Sequence, residues 1–77
     1  MEIEKFVQLF AEQFDETDPS VFTPDTHFRD IDEWSSIVAL TVINAVIDEY
    51  GVQLRGDDIK SSETVKDIFV KLQSRAK

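Results

Sequence analysis

Ser36-Ile-Val-Ala-Leu-Thr-Val-Ile-Asn-Ala-Val-Ile-Asp-Glu-Tyr50, closed by Gly51, is the stretch whose reading decides the fold. Ten of its fifteen residues are apolar: Ile37, Val38, Ala39, Leu40, Val42, Ile43, Ala45, Val46, Ile47 and Tyr50. β-Branched residues are common in it and slightly disfavour helix. Its length and its stop favour helix, because Gly51 is free to take the left-handed conformation that ends one. A helix apolar nearly all round either runs through the centre of a core or uses a second face for something else.

Working outward, residues 2–15 read as a first helix. Ile3, Val7, Phe10 and Phe14 recur at helical spacing, Phe6 and Leu9 widen the stripe, and Glu2 and Glu4 suit the positive end of the helix dipole. Pro19 biases its predecessor away from helix. Residues 16–35 then form a long connection, which Val21 or Phe22, Phe28 and Ile31 are placed to pin to the core. After Gly51, Asp57 is positioned to cap one short helical turn. A last helix spans residues 65–74, with Val65, Ile68, Phe69 and Leu72 as its stripe. Thr64 and Asp67 form a variant capping box at its start, and Lys71, Arg75 and Lys77 lie towards its negative end. The prediction is an all-α fold: a small four-helix bundle, three main helices plus a short third, in one domain over residues 1–77.

Composition narrows the function. The chain has 77 residues, no cysteine and a net charge of −8 from sixteen acids and eight bases. Residues 1–54 hold twelve acids against Lys5 and Arg29, while residues 55–77 hold four acids and six bases. An acidic body disfavours nucleic acid and steers basic protein partners towards itself. A hydrophobic fraction of 42% argues for a folded chain. No apolar run approaches the ~18 residues of a membrane span, and Met1–Phe10 does not resemble a signal peptide. The expectation is therefore a soluble, cytoplasmic monomer.

The inventory for catalysis is thin. His27 is the only histidine. Asp30, Asp32 and Glu33 lack the spacing of a calcium loop, and no phosphate-binding loop or nucleophile elbow occurs. The chain is read as a non-enzyme with no metal site. What remains is Asp32-Glu33-Trp34-Ser35-Ser36-Ile37, where two serines stand between an acidic loop and an apolar helix. One serine is explained as a helix cap. With Ser35 as cap, Ser36 occupies the first helical position, where free N–H groups and the helix dipole favour a phosphate ester.

In this order and spacing the segments resemble the acyl carrier protein family along essentially the whole chain. Phe28-Arg29-Asp30-Ile31 is similar to the family's approach to its serine, and Ser35-Ser36-Ile37 to its Asp-Ser-Leu. Leu40, Val42 and Ile43 match the apolar places that follow. Asp48-Glu49-Tyr50-Gly51-Val52 matches the exit of the second helix, and Thr64-Val65-Lys66-Asp67-Ile68 the start of the last. The resemblance implies a covalent 4′-phosphopantetheine arm on Ser36, delivered from coenzyme A by a magnesium-dependent phosphopantetheinyl transferase. It implies acyl cargo held as thioesters, in fatty-acid or specialised, polyketide-type synthesis, and partners among acyl-chain synthesis and acyl-transfer enzymes. An aminoacyl or aryl carrier, and an unmodified carrier-like interaction subunit, are the alternatives. Register favours Ser36 over Ser35, because Ile37 then stands for the family's leucine.

Three departures stand out. The family's aspartate before the serine is Ser35 here, which removes a carboxylate that a basic transferase could read and suggests slower modification or a dedicated transferase. The family's nearby glycine is replaced by Glu33 and Trp34, with Trp34 either packing on the core or covering the base of the arm. The family's acidic face on the second helix corresponds here to Val38, Thr41, Asn44, Ile47 and Asp48. Trp34, Ser35, Ile37, Val38, Thr41, Ile47 and Asp48 are the expected partner-recognition residues, with Val38 and Ile47 read more by packing than by charge.

Overall fold

The computed structural model describes residues 2–75. Four α-helices follow one another: α1 (Ile3–Glu12), α2 (Ser36–Tyr50), α3 (Gly56–Lys60) and α4 (Val65–Arg75). Two single 3-10 turns, Pro19–Val21 and Phe28–Asp30, lie in the long connection between α1 and α2. No strand occurs among the described residues, and the arrangement is the four-helix bundle that the apolar patterning predicts. No helix among them is long and apolar enough to cross a membrane. The expected role of Lys77 lies outside the described residues.

α1 is shorter than its apolar stripe. Its last turn tightens, with Gln13 N–H donating to Phe10 O and Phe14 N–H to Ala11 O. The next two amides donate to the Glu33 carboxylate, Asp15 N–H at 2.7 Å and Glu16 N–H at 3.0 Å. The helix stops because those donors are claimed from outside it. Phe14 still reaches the core from beyond the helix end.

The core is aromatic. Phe6, Phe10, Phe14, Phe22, Phe28 and Phe69 are buried together with Val42, Val46, Leu54, Ile59, Val65, Ile68 and Leu72. Phe10 sits at its centre, within 6.2 Å of the rings of Phe6, Phe14, Phe22, Phe28 and Trp34. Rings in such tilted and edge-on arrangements add attraction beyond the apolar area they remove from water. Of the two candidate anchors near Pro19, Phe22 is buried and Val21 is exposed.

The long connection is tied down along its length. Pro24 O and Thr26 O accept the first free N–H groups of α4, from Lys66 at 2.8 Å and Val65 at 3.2 Å. Arg29 reaches across to the end of α3 and donates to Lys60 O at 2.9 Å and Ser62 O at 2.6 Å. The capping box of α4 forms as read: Asp67 N–H donates to Thr64 Oγ1, and the Asp67 carboxylate accepts from the N–H groups of Glu63 and Thr64.

The start of α3 differs from expectation. Asp58, not Asp57, supplies the capping carboxylate, by accepting the Arg55 N–H at 2.9 Å. Three residues into the helix, a carboxylate reaches back to the amide before the helix, whereas Asp57 faces solvent. Asp58 also takes a two-pronged contact from Arg75, with Nη2 to Oδ1 at 2.7 Å and Nη1 to Oδ2. Lys71 Nζ donates to Asp58 O, Ser61 Oγ and Ser62 Oγ. The basic C-terminal third is thus partly consumed in holding α3.

Candidate functional site

The approach to α2 runs through Ile31, whose carbonyl accepts the Trp34 N–H at 2.9 Å. The Trp34 ring stacks against Phe10 and Phe14, both at 6.2 Å, and meets Phe28 edge-on at 4.8 Å. Trp34 therefore packs on the core, the first of the two roles open to it, and its partner Glu33 clamps the end of α1. Thr17 Oγ1 adds a third hydrogen bond to the Glu33 carboxylate at 2.8 Å. Burial raises the carboxyl pKa, but the hydroxyl of Thr17 and the N–H groups of Asp15, Glu16 and Thr17 outweigh it and hold Glu33 below the usual carboxylate range.

Ser35 is extended at φ −155° and ψ 172°, and its Oγ accepts the Val38 N–H at 3.3 Å. Its carbonyl accepts the Ala39 N–H at 2.9 Å and so begins the helix. Ser35 is the cap. Ser36 follows as the first helical residue and is exposed to solvent. The N–H groups of Ser36 and Ile37 precede the first intrahelical bond, so the helix offers donors and the positive end of its dipole beside the Ser36 hydroxyl. An oxyanion esterified there fits this end of the helix on chemistry alone. The first turn of α2 carries no acidic side chain.

The two faces of α2 differ. Val42 and Val46 point into the core, and Val38, Ala39, Ile43 and Tyr50 pack at its edge. The outer face carries Ile37 at 76% exposure, Leu40 at 58% and Ile47 at 36%, together with exposed Ser36, Thr41, Asn44 and Asp48. Val38, assigned outward from sequence, is half-buried against the core, and Leu40 takes the outward place instead. One helical step of about 100° separates neighbouring positions, and a helix this apolar does not announce which face is inside. The Thr41 hydroxyl donates to Ile37 O at 3.0 Å, so it is turned back on its own helix. At the far end Gly51 takes φ +66°, and its N–H donates to Ile47 O at 2.9 Å.

A groove of about 1320 Å³ lies at that far end, between α1, the close of α2 and α4, with Lys5, Leu9, Tyr50, Val52 and Arg75 among its walls. It is separate from the start of α2. His27 is exposed, and no group of three or more metal-binding side chains occurs among the described residues.

Ser36 thus stands exposed at the first position of the most apolar helix, with Ser35 and not Ser36 serving as its cap. The chain belongs to the phosphopantetheine attachment site family, whose model matches residues 4–69, from the first turn of α1 into α4. Members of that family are non-catalytic carriers, and this chain is a carrier protein rather than an enzyme. No curated protein and no solved structure is matched by the chain.

Proposed function

We propose that Ser36 bears the 4′-phosphopantetheine arm and that the protein is a discrete carrier of acyl intermediates, held as thioesters, in fatty-acid or specialised acyl-chain synthesis. The observation that carries this reading is the division of labour between the two serines: Ser35 spends its hydroxyl on the Val38 N–H, while Ser36 stands exposed at the first helical position. When bound, the arm supplies a thiol that forms the thioester. The chain's own part is to present that thiol on a rigid platform and so raise the cargo's effective concentration at successive enzymes.

The attachment reaction is a substitution at phosphorus. The Ser36 hydroxyl oxygen forms the new P–O bond, the phosphoanhydride of coenzyme A breaks, and adenosine 3′,5′-bisphosphate leaves while the hydroxyl proton passes to the transferase. The partners are that transferase and the acyl-chain synthesis or acyl-transfer enzymes that load and unload the arm. Ser35, Ile37, Thr41, Ile47 and Asp48 border the serine or line the exposed side of the same helix, which supports their assignment to partner recognition. Trp34 and Val38 would act there by supporting that surface from beneath.

Incubation of the unmodified protein with coenzyme A, magnesium and a broad-specificity transferase is expected to add one arm, read by intact mass. Ser36→Ala should abolish the addition and Ser35→Ala should retain it. An arm mapped to Ser35, or none on the unsubstituted chain, overturns the assignment.

A further inference from the structure

An apolar chain tethered in water lowers its free energy by covering itself, either inside the protein or on an apolar surface. The interior is occupied here: the rings of Phe6, Phe10, Phe14, Phe22, Phe28 and Phe69 fill it, with Trp34 and Tyr50 at its margins. The wall beside α2 that would have to open is α3, and α3 is fastened. Arg75 grips the Asp58 carboxylate, Lys71 holds Asp58 O and Ser62 Oγ, and Arg29 holds Lys60 O and Ser62 O. Moving α3 away from the rest of the bundle breaks several of these bonds, to α4 and to the long connection, together.

The outside offers an alternative that begins at the attachment residue. Ser36, Leu40, Ile43 and Ile47 recur at spacings of four, three and four, so they fall in one line along α2. The line rises about 16 Å from Ser36 to Ile47 at the usual pitch of a helix. Of the five large exposed apolar side chains among the described residues, Ile37, Leu40 and Ile47 lie on or beside this line; Val21 and Val70 stand alone elsewhere. Acid appears only where the line ends, at Asp48 and Glu49. Thr41 and Asn44 are its polar neighbours midway, and the Thr41 hydroxyl is bonded to Ile37 O.

We infer that this line is a cargo lane: an apolar acyl chain on the arm folds back onto Leu40 and Ile47 outside the bundle instead of entering between its helices. The inference rests on attachment at Ser36. The tether favours this occupant over a separate partner, because the chain is held beside the lane at high effective concentration whether or not an enzyme is present. It assigns Leu40, Ile43 and Ile47 to cargo preference, with long saturated chains covering the lane and short or polar ones leaving it bare. An enzyme that takes the cargo must then lift it from α2, not extract it from a core.

The test uses the full chain carrying a fatty-acyl arm joined through a stable amide, with a nitroxide at the chain's tip. Intact mass and peptide mapping first establish a single arm on Ser36; failure at that step is failure of the attachment reading alone. Methyl NMR then reads the cargo's position. The expected result is selective broadening of the Leu40 and Ile47 methyl signals, absent when a short polar cargo carries the nitroxide, with Leu54, Ile59 and Ile68 unaffected. Leu40→Gln/Ile47→Gln, loaded equally by mass, should lose the broadening at the remaining Ile43 methyls. Broadening of the buried methyls places the chain inside and overturns the lane. Broadening of neither set overturns it as well, and leaves the exposed face to a protein partner.

Discussion

α2 is held by two connections of opposite chemistry. The one before it, residues 13–35, is fixed mainly by rings: Phe14, Phe22, Phe28 and Trp34 all turn inward around Phe10. The one after it, residues 51–64, is fixed mainly by cations: Arg29, Lys71 and Arg75 converge on Asp58 and on the carbonyls at the end of α3. Each suits its place. The first must hold Ser36 and its cap still over a long, irregular path, and buried rings do this at any pH or ionic strength. The second spans a short path and one turn of helix too brief to sustain itself. Charged hydrogen bonds to carbonyls add to the packing of Leu54 and Ile59, the buried apolar anchors of this path.

The largest effect is expected where the first connection is cut. Phe28 is fully buried, 5.7 Å from the Phe10 ring and 4.8 Å from the Trp34 ring. Phe28→Ala should cost about 3–5 kcal/mol, the usual range for emptying a buried ring site. That is most of the stability of a domain whose total lies at the low end of about 5–15 kcal/mol. Urea unfolding followed by helical circular dichroism should show the midpoint collapse, by the same amount at neutral and mildly acidic pH and with little dependence on salt. A loss below about 1 kcal/mol, near the scale of a surface change, would mean the rings are not what holds this path.

The second connection should break differently. The Arg75 guanidinium hydrogen-bonded to it, opposed by burial and helped by the Arg55 N–H and the charges of Arg75 and Lys71, holds the Asp58 carboxyl at about 2 against an ordinary 3.8. A depressed carboxyl pKa contributes stability that is complete above the unfolded value and is lost as pH falls through the folded one. The window therefore runs from just above 3.8 down to about 2. Asp58→Asn should cost about 1–2 kcal/mol at neutral pH, less than the full shift implies because Arg75 remains partly open to water. The variant keeps an oxygen for the Arg55 N–H, so α3 should still start where it does. The difference between the two proteins should shrink as pH falls through that window and as salt rises. A gap that persists unchanged at low pH would assign the effect to packing and erase the contrast between the connections.

How much of this was legible in the chain follows the reach of each contact. α2 was readable to the residue, because Ser35 and Gly51 are local start and stop signals. The Thr64–Asp67 box, three residues apart, was readable for the same reason. The clamp of Glu33 on Asp15 and Glu16, the pairing of Asp58 with Arg75 and the reach of Arg29 to Ser62 join residues far apart in sequence, and no local pattern carries them. Glu33 was read as part of a failed calcium loop and as a replacement for the family's glycine, yet its carboxylate ends α1. The inner face of α2 was hidden by excess: with ten apolar residues in fifteen, the period that separates Leu40 from Val38 is drowned. The candidate serine itself was legible because two serines competed for one cap, and only one could take it.

The smallest effect lies where the first connection hands over to α2. Ser35→Ala removes the acceptor for the Val38 N–H, and capping serines are typically worth about 0.5–2 kcal/mol. At 3.3 Å the bond is long, so the loss should sit near the bottom of that range, below both preceding variants. Amide exchange should speed up at Val38 and its neighbours in the first turn, while the core amides of Val42 and Val46 stay protected. Ser35→Asp supplies the same acceptor plus a negative charge at the positive helix end, and should recover the stability or exceed it by a few tenths of a kcal/mol, on the order expected for such a charge. The pair separates two jobs open to a residue at this position, capping the helix and meeting the transferase. If Ser35→Asp stabilises α2 and also speeds arm attachment, the carboxylate serves both helix and transferase. If it stabilises the helix and leaves attachment unchanged, the serine cap already meets every structural need at this junction, and the rings behind it are what present Ser36.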